Sequence, residues 1–357
     1  SNYYSEIGAN KSLYEAFKRL KKSNLNEQQK HIVKDSLKSF ELSGVGLKGE
    51  YSDRFKAIQE QLSVLSNQFS KNVLQATNSW KKTVSIDDLK GYGEAEILKI
   101  KVGDEYIINL QIPVYIDLMT YAENRELREE VYRAYISRAS DIGITPKEFD
   151  NRNIMNEILE LRLELSKLLG LSNYAEYSVQ SKMVESPEEV IQFLENLVDL
   201  SLSQAKKELI DLEVFAGHTL MPWDLMFYSE KLKQKMFDFK KSDLKPFFPE
   251  SCVLSGLFST IQRLYNVTLT EIEQECYHND VRVIEIKDKR GLIGRIYLDV
   301  YARENKRGGA WMSDFQGLYN DSLPVAFVVC NLNSPKGGKL ALFDFDEIVT
   351  LFHEFGH

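Results

Sequence analysis

His353 and His357 stand four residues apart with Glu354 directly after the first of them. That H-E-x-x-H spacing is one helical turn, so both imidazoles fall on one face of a helix. Two neutral imidazoles so placed can reach one tetrahedral Zn2+, which makes His353 and His357 the candidate metal ligands. Glu354 is rotated off the ligand axis toward the position such a site leaves open, where its carboxylate can take a proton from water. It is the candidate catalytic base of a zinc peptidase. The competing account is two unconnected histidines and an incidental glutamate. With 5 histidines in 357 residues, chance would produce the motif roughly once in a few hundred such chains.

A catalytic zinc takes three protein ligands and leaves one position for water. Spacing alone assigns no third ligand. His278, in Cys276-Tyr277-His278-Asn279, is a poor candidate, because a lone histidine before a strand is more often a structural hydrogen-bonding residue. The run from Asn305 to Trp311 could touch a substrate: Gly308, Gly309 and Ala310 permit close backbone approach before the aromatic Trp311. In many zincins a peptide adds a strand to a sheet edge beside the metal, and this run is a candidate for that edge; a tight turn with an aromatic anchor is the equal alternative. Arg303, Lys306 and Arg307 are candidate partners for a peptide carboxylate, against the commoner role of solvated charge.

The motif needs a rigid helix beneath it. Asp344 and Glu347 read as a capping box, and Ile348, Leu351, Phe352 and Phe355 form one apolar stripe. Gly356 is expensive in a helix by about 1 kcal/mol relative to alanine, which suggests close packing against another segment or a ligand at that point. Upstream, helical periodicity dominates from 26 to 238, clearest at Phe55, Ile58, Leu62, Leu65, Phe69 and Val73. Further helices are predicted at 124–138, 152–169, 187–215, 223–238 and 250–265. Strands are few: a hairpin from Ala95 to Ile112 turning at Val102-Gly103-Asp104, a second pairing 281–287 with 292–300, and a single strand at 325–331. Gly44-Val45-Gly46-Leu47-Lys48-Gly49 matches G-x-G-x-x-G but follows a helical pattern, so it reads as an interhelical turn rather than a phosphate cradle.

The fold class is therefore mainly α, with a small late β-sheet next to the H-E-x-x-H helix. A soft division gives 1–150 as a mostly helical part with the hairpin near 95–112, 151–275 as a helical body, and 276–357 as the sheet and the start of the zinc-binding helix. Net charge is −8 with charged residues at 27%, and the basic residues form no stripe. Nucleic acid is not an expected partner. Three cysteines in no ligand spacing argue against a disulfide framework, and no apolar run approaches the length that crosses a bilayer. A cytoplasmic, non-membrane protein is expected.

Beyond the motif, several separate stretches match one family. They are Phe40-Glu41-Leu42-Ser43-Gly44-Val45-Gly46-Leu47, the run from Met119 to Tyr135, Pro222-Trp223-Asp224, the run from Tyr297 to Met312, and Phe343 to His357. On these the chain resembles the thimet oligopeptidase family and, within it, the bacterial oligopeptidase A branch. The resemblance covers nearly the whole chain. It implies a mostly helical, two-lobed zincin-type endopeptidase whose deep channel admits short unstructured peptides. It also implies one zinc held by His353, His357 and a glutamate from a following helix. In the family that glutamate, and the tyrosine and histidine that steady the tetrahedral intermediate, lie beyond the position of residue 357, and members begin upstream of Ser1. A C-terminal segment of the same enzyme is thus expected to complete the site, and the isolated chain is expected to be inactive. The alternatives are a non-catalytic peptide-binding or scaffold module, and a zinc hydrolase acting on a non-peptide amide.

Overall fold

The computed structural model describes residues 2–237, 241–319, 322–335 and 340–357. The architecture is mainly helical with a late sheet, as the apolar periodicity dictates. Packing divides the chain into two compact units that alternate along the sequence. One comprises Ser1–Val73, Ala139–Asp141 and Lys147–Ile210; the other comprises Leu74–Arg138, Ile142–Pro146 and Asp211–His357.

Among the described residues the first unit contains helices and no strand. Helix Glu50–Ser79 supplies Phe55 and Ile58 to a core completed by Leu161 and Leu165 of helix Arg152–Leu168. The i, i+3 spacing of Phe55 and Ile58 keeps both on one face. Arg54 caps this contact with two 2.6 Å hydrogen bonds to Glu164. The glycine run 44–49 is a turn between helices Glu27–Leu42 and Glu50–Ser79, with Gly44 at φ +77° and Gly49 at φ +56°. The helix Pro187–Ala216 begins where Ser186 Oγ accepts a hydrogen bond from the Glu189 amide at 3.2 Å.

The second unit holds both sheets. The smaller contains β1 (Lys81–Val84), β2 (Lys101–Val102) and β3 (Glu105–Asn109) in the antiparallel order β1-β3-β2. The expected hairpin over 95–112 is corrected here. Its turn lies at Gly103 (φ +62°), but Glu94–Ile100 is helical and only Lys101–Val102 pairs with β3. Ile97 and Ile100 both reach the core. Positions three apart point to opposite faces of a strand but share a face of a helix, so burying both selects the helix.

The larger sheet contains β4 (Thr268–Ile272), β5 (Arg282–Asp288), β6 (Gly291–Tyr301), β7 (Trp311–Gln316) and β8 (Val325–Leu332). Its order is β4-β5-β6-β8-β7, with β6 and β8 parallel and the other pairs antiparallel. The β5–β6 hairpin and β8 lie where the sequence places them. The two edge strands β4 and β7 carry largely exposed side chains, so neither has the apolar alternation that announces a strand. Helix Glu250–Tyr265 packs Val253, Leu254 and Leu257 into the same core as Ile284, Leu298, Val328 and Cys330. This core is the floor on which the terminal helix rests.

Candidate active site

The terminal helix Phe345–Gly356 is specified locally at its start. Asp344 Oδ1 accepts from the Glu347 amide and Glu347 Oε2 accepts from the Asp344 amide, both at 2.9 Å. This reciprocal capping box satisfies two backbone donors that a helix leaves without partners. Glu347 Oε1 also accepts from the backbone and side-chain nitrogens of Asn333, each at 2.7 Å, which ties the helix start to the chain leaving β8. Leu351 is 0% exposed in the core below, with Ile348, Phe352 and Phe355 packed around it. Burying this stripe sets the rotation of the helix and therefore the direction of its other face.

On that other face His353 and His357 are exposed, their rings perpendicular and 4.8 Å apart. Their Nε2 atoms lie 3.2 Å from each other. Nitrogens about 2.0–2.1 Å from a tetrahedral zinc are separated by about 3.3–3.4 Å. The pair therefore fits two ligand positions of such an ion, and equally fits a hydrogen bond shared between a protonated and an unprotonated ring. Glu354 is buried, 8% exposed. Burial, with the Glu354 carboxylate as the next contribution, pushes the Cys330 thiol up to about 12. Among the described residues no third His, Cys, Asp or Glu joins the histidine pair.

His278 is not that third donor. Its Nδ1 accepts from the Asp280 amide at 3.2 Å and lies 3.6 Å from the Asp280 carboxylate, which is the structural role of a histidine before a strand. Of the packing against another segment or a ligand expected at Gly356, no described segment supplies the first. A methyl group built there would meet no described atom within 4 Å.

Gly308, Gly309 and Ala310 lead into β7, and only Trp311 belongs to it, paired with Val329 of β8. The approach is held by Asn331, whose Nδ2 donates to the carbonyls of Arg307 and Gly309 at 2.8 and 2.6 Å. Gly308 is small for a reason: a Cβ there would stand 2.9 Å from Ile112 Cδ1. Gly309 has φ +100°, a left-handed conformation that favours glycine. Among the described residues, the opposite edge of β7 has no strand beside it.

The three nearby cations separate. Arg303 donates to both carboxylate oxygens of Asp299 at 2.6 and 2.8 Å, and Lys306 Nζ donates to the same carboxylate at 2.8 Å and to the Tyr301 carbonyl at 2.7 Å. Burial raises the Asp299 carboxyl, but hydrogen bonds from Arg303, Lys306 and Tyr277 outweigh it and hold the group down at about 2. Arg303 and Lys306 thus fasten the loop before β7. Arg307 is exposed, its guanidinium 5.8 Å from the centre of the Trp311 ring.

Sequence reasoning left Trp223 and Asp224 without a role. The structure makes Asp224 a buried hub: it accepts from Arg125 at 2.7 Å, Arg128 at 2.9 Å and the Met221 amide at 3.1 Å. Arg128, 1% exposed, also donates to the Trp223 carbonyl. The signal was available as an arginine spaced three residues after another in the run 119–135, but nothing local named its partner.

Residues 118–357 match the family model described as peptidase family M3, and residues 2–52 match the neurolysin/thimet oligopeptidase N-terminal domain. Oligopeptidase A of Escherichia coli is 43% identical over 380 residues, covering 100% of this chain and 56% of that protein. Organellar oligopeptidase A of Arabidopsis thaliana is 36% identical, covering 98% of this chain and 48% of the relative. Dipeptidyl carboxypeptidase of Escherichia coli is 30% identical, covering 96% and 52%. The chain spans about half the length of these relatives. A crystal structure assigned as an oligoendopeptidase F from Bacillus anthracis has the same fold over 99% of this chain and 52% of its own, at a TM-score of 0.50 and 15% identity.

Proposed function

The chain belongs to peptidase family M3, and from that premise we propose that it carries part of the catalytic centre of a zinc-dependent oligopeptidase acting on short, unstructured peptides. The observation that carries this reading is the 3.2 Å separation of the His353 and His357 Nε2 atoms on a helix anchored from its other side by the buried Leu351. His353 and His357 would hold the zinc; a glutamate from polypeptide outside these 357 residues would complete the set. When bound, zinc supplies Lewis acidity toward a scissile carbonyl and makes water a stronger acid. Glu354 takes the proton from the attacking water and returns it to the leaving amine. Its burial keeps the carboxylate in one orientation for both transfers. The free edge of β7, entered through Gly308, Gly309 and Ala310, offers backbone groups to an extended peptide, with Arg307 beside Trp311 available to a carboxylate. Three unpaired thiols support residence in a reducing compartment, the cytoplasm. No described helix is long and apolar enough to cross a membrane.

The test is Glu354→Gln in the complete enzyme. Expected is a loss of turnover of about 10²-fold or more with zinc content unchanged, whereas His357→Ala loses the metal itself. Parental turnover in the glutamine variant would remove Glu354 as the base. One observation favours a second reading for the isolated chain, a peptide-binding module that does not cut: among the described residues the two histidines have no third donor beside them. Titration of a short peptide into the 357-residue chain, with and without zinc, separates binding from cleavage.

A further inference from the structure

The helix Pro187–Ala216 is exposed at every position from 191 to 210. Plotted at 3.6 residues per turn, Ile191, Leu194, Leu197, Val198, Leu200 and Leu209 fall within one arc of roughly 200°, about twice the stripe of an ordinary surface helix. Leu200 is 80% and Leu194 53% exposed. The polar side chains inside that arc satisfy themselves within the helix: Ser201 Oγ donates to the Leu197 carbonyl at 2.7 Å, and Gln204 donates to Glu208 at 2.8 Å. Ser201 can therefore be covered at little cost, whereas Glu208 calls for a cation on whatever covers it. Twenty helical residues make a cylinder about 30 Å long and 10 Å across, so the apolar arc is roughly 500 Å². That is at the upper end of what a monomer leaves open and more than half of the ~800 Å² one partner gives to a stable interface.

We infer that this face is the docking surface for the polypeptide that follows the position of residue 357 in the family relatives, and that in the complete protein the helix is internal. Two observations choose this occupant. The chain covers 56% of the E. coli relative and 48% of the Arabidopsis one, so a comparable length of polypeptide is available to lie on it. The helix as a whole carries seven acidic and two basic side chains, a net negative charge that disfavours an anionic membrane surface and a second copy of the same helix. The complementary partner is apolar with flanking lysines or arginines. This docking does not depend on zinc or on catalysis.

The test extends the chain past His357 with the polypeptide by which E. coli oligopeptidase A continues beyond the match, and follows amide hydrogen exchange in the extended and the 357-residue chains. Helix Glu250–Tyr265, packed in both, is the internal reference. Expected is a slowing of exchange over 191–210 of about tenfold or more in the extended chain. Leu194→Glu with Val198→Glu abolishes that slowing and leaves the melting of the 357-residue chain unchanged, because both side chains are exposed in it. Equal exchange over 191–210 in the two chains overturns the inference. A 357-residue chain that dimerises with concentration and protects 191–210 by itself overturns it in favour of a second copy.

Discussion

The helices Phe345–Gly356 and Pro187–Ala216 both carry an apolar stripe, and they end in opposite circumstances. In the first, Leu351 is fully enclosed above the five-stranded sheet. In the second, the stripe from 191 to 210 is open. A stripe in a sequence states that a face needs covering; it does not state what covers it. Where the cover lies within the same residues, the helix becomes a rigid platform that can hold two imidazoles 3.2 Å apart. Where it does not, the helix waits for other polypeptide.

The largest expected effect tests this contrast directly. Leu351→Ala should destabilise its unit by about 2–5 kcal/mol, whereas Leu200→Ala on the open helix should stay within about 0.5 kcal/mol. Urea unfolding of the 357-residue chain reads both; similar costs at the two sites would break the comparison. In the extended chain the Leu200→Ala cost should rise toward that of Leu351→Ala.

Charge sharpens the contrast in the same way. Burial raises the Asp224 carboxyl, but Arg125, the Met221 amide and Arg128 together hold it down at about 2, below its ordinary 3.8. A depressed carboxyl contributes stability that is full above its unfolded value and is lost as pH falls from about 3.8 toward 2. Asp224→Asn should therefore flatten the loss of stability over that window, measured as unfolding midpoints at pH 5 and pH 2.

The smallest effect is at Gly356, where a methyl group meets no described atom. Gly356→Ala should raise the stability of the 357-residue chain by about 0.5 kcal/mol through helix propensity. If the same change lowers stability or zinc affinity in the complete enzyme, added polypeptide approaches the helix at that point, and its end is open in the same sense as the stripe from 191 to 210.

Much of the candidate site was legible because its parts are local. His353, Glu354 and His357 span one turn, and the Asp344–Glu347 box spans another. The strands were legible only where apolar residues recur: the β5–β6 hairpin and β8 were expected, and the edge strands β4 and β7 were not. The segment 94–100 misled because its isoleucines suit a strand by type and a helix by spacing. His278 was correctly weighed as structural, but Asp299 could not be recognised as the anchor of the loop before β7. Its partners Arg303 and Lys306 lie four and seven residues on, in irregular chain where no helical or strand period marks the contact.

Sequence alone determined the helical character, the turn that sets two imidazoles side by side, and the cap that starts that turn, because each depends on backbone periodicity over a few residues. Tertiary structure decided the rest. It put β7 at a sheet edge through the order β6-β8-β7, directed Asn331 to the carbonyls of Arg307 and Gly309, and buried Glu354. These contacts join residues far apart in the chain, and their partners are selected by packing and pairing energies that no local spacing encodes.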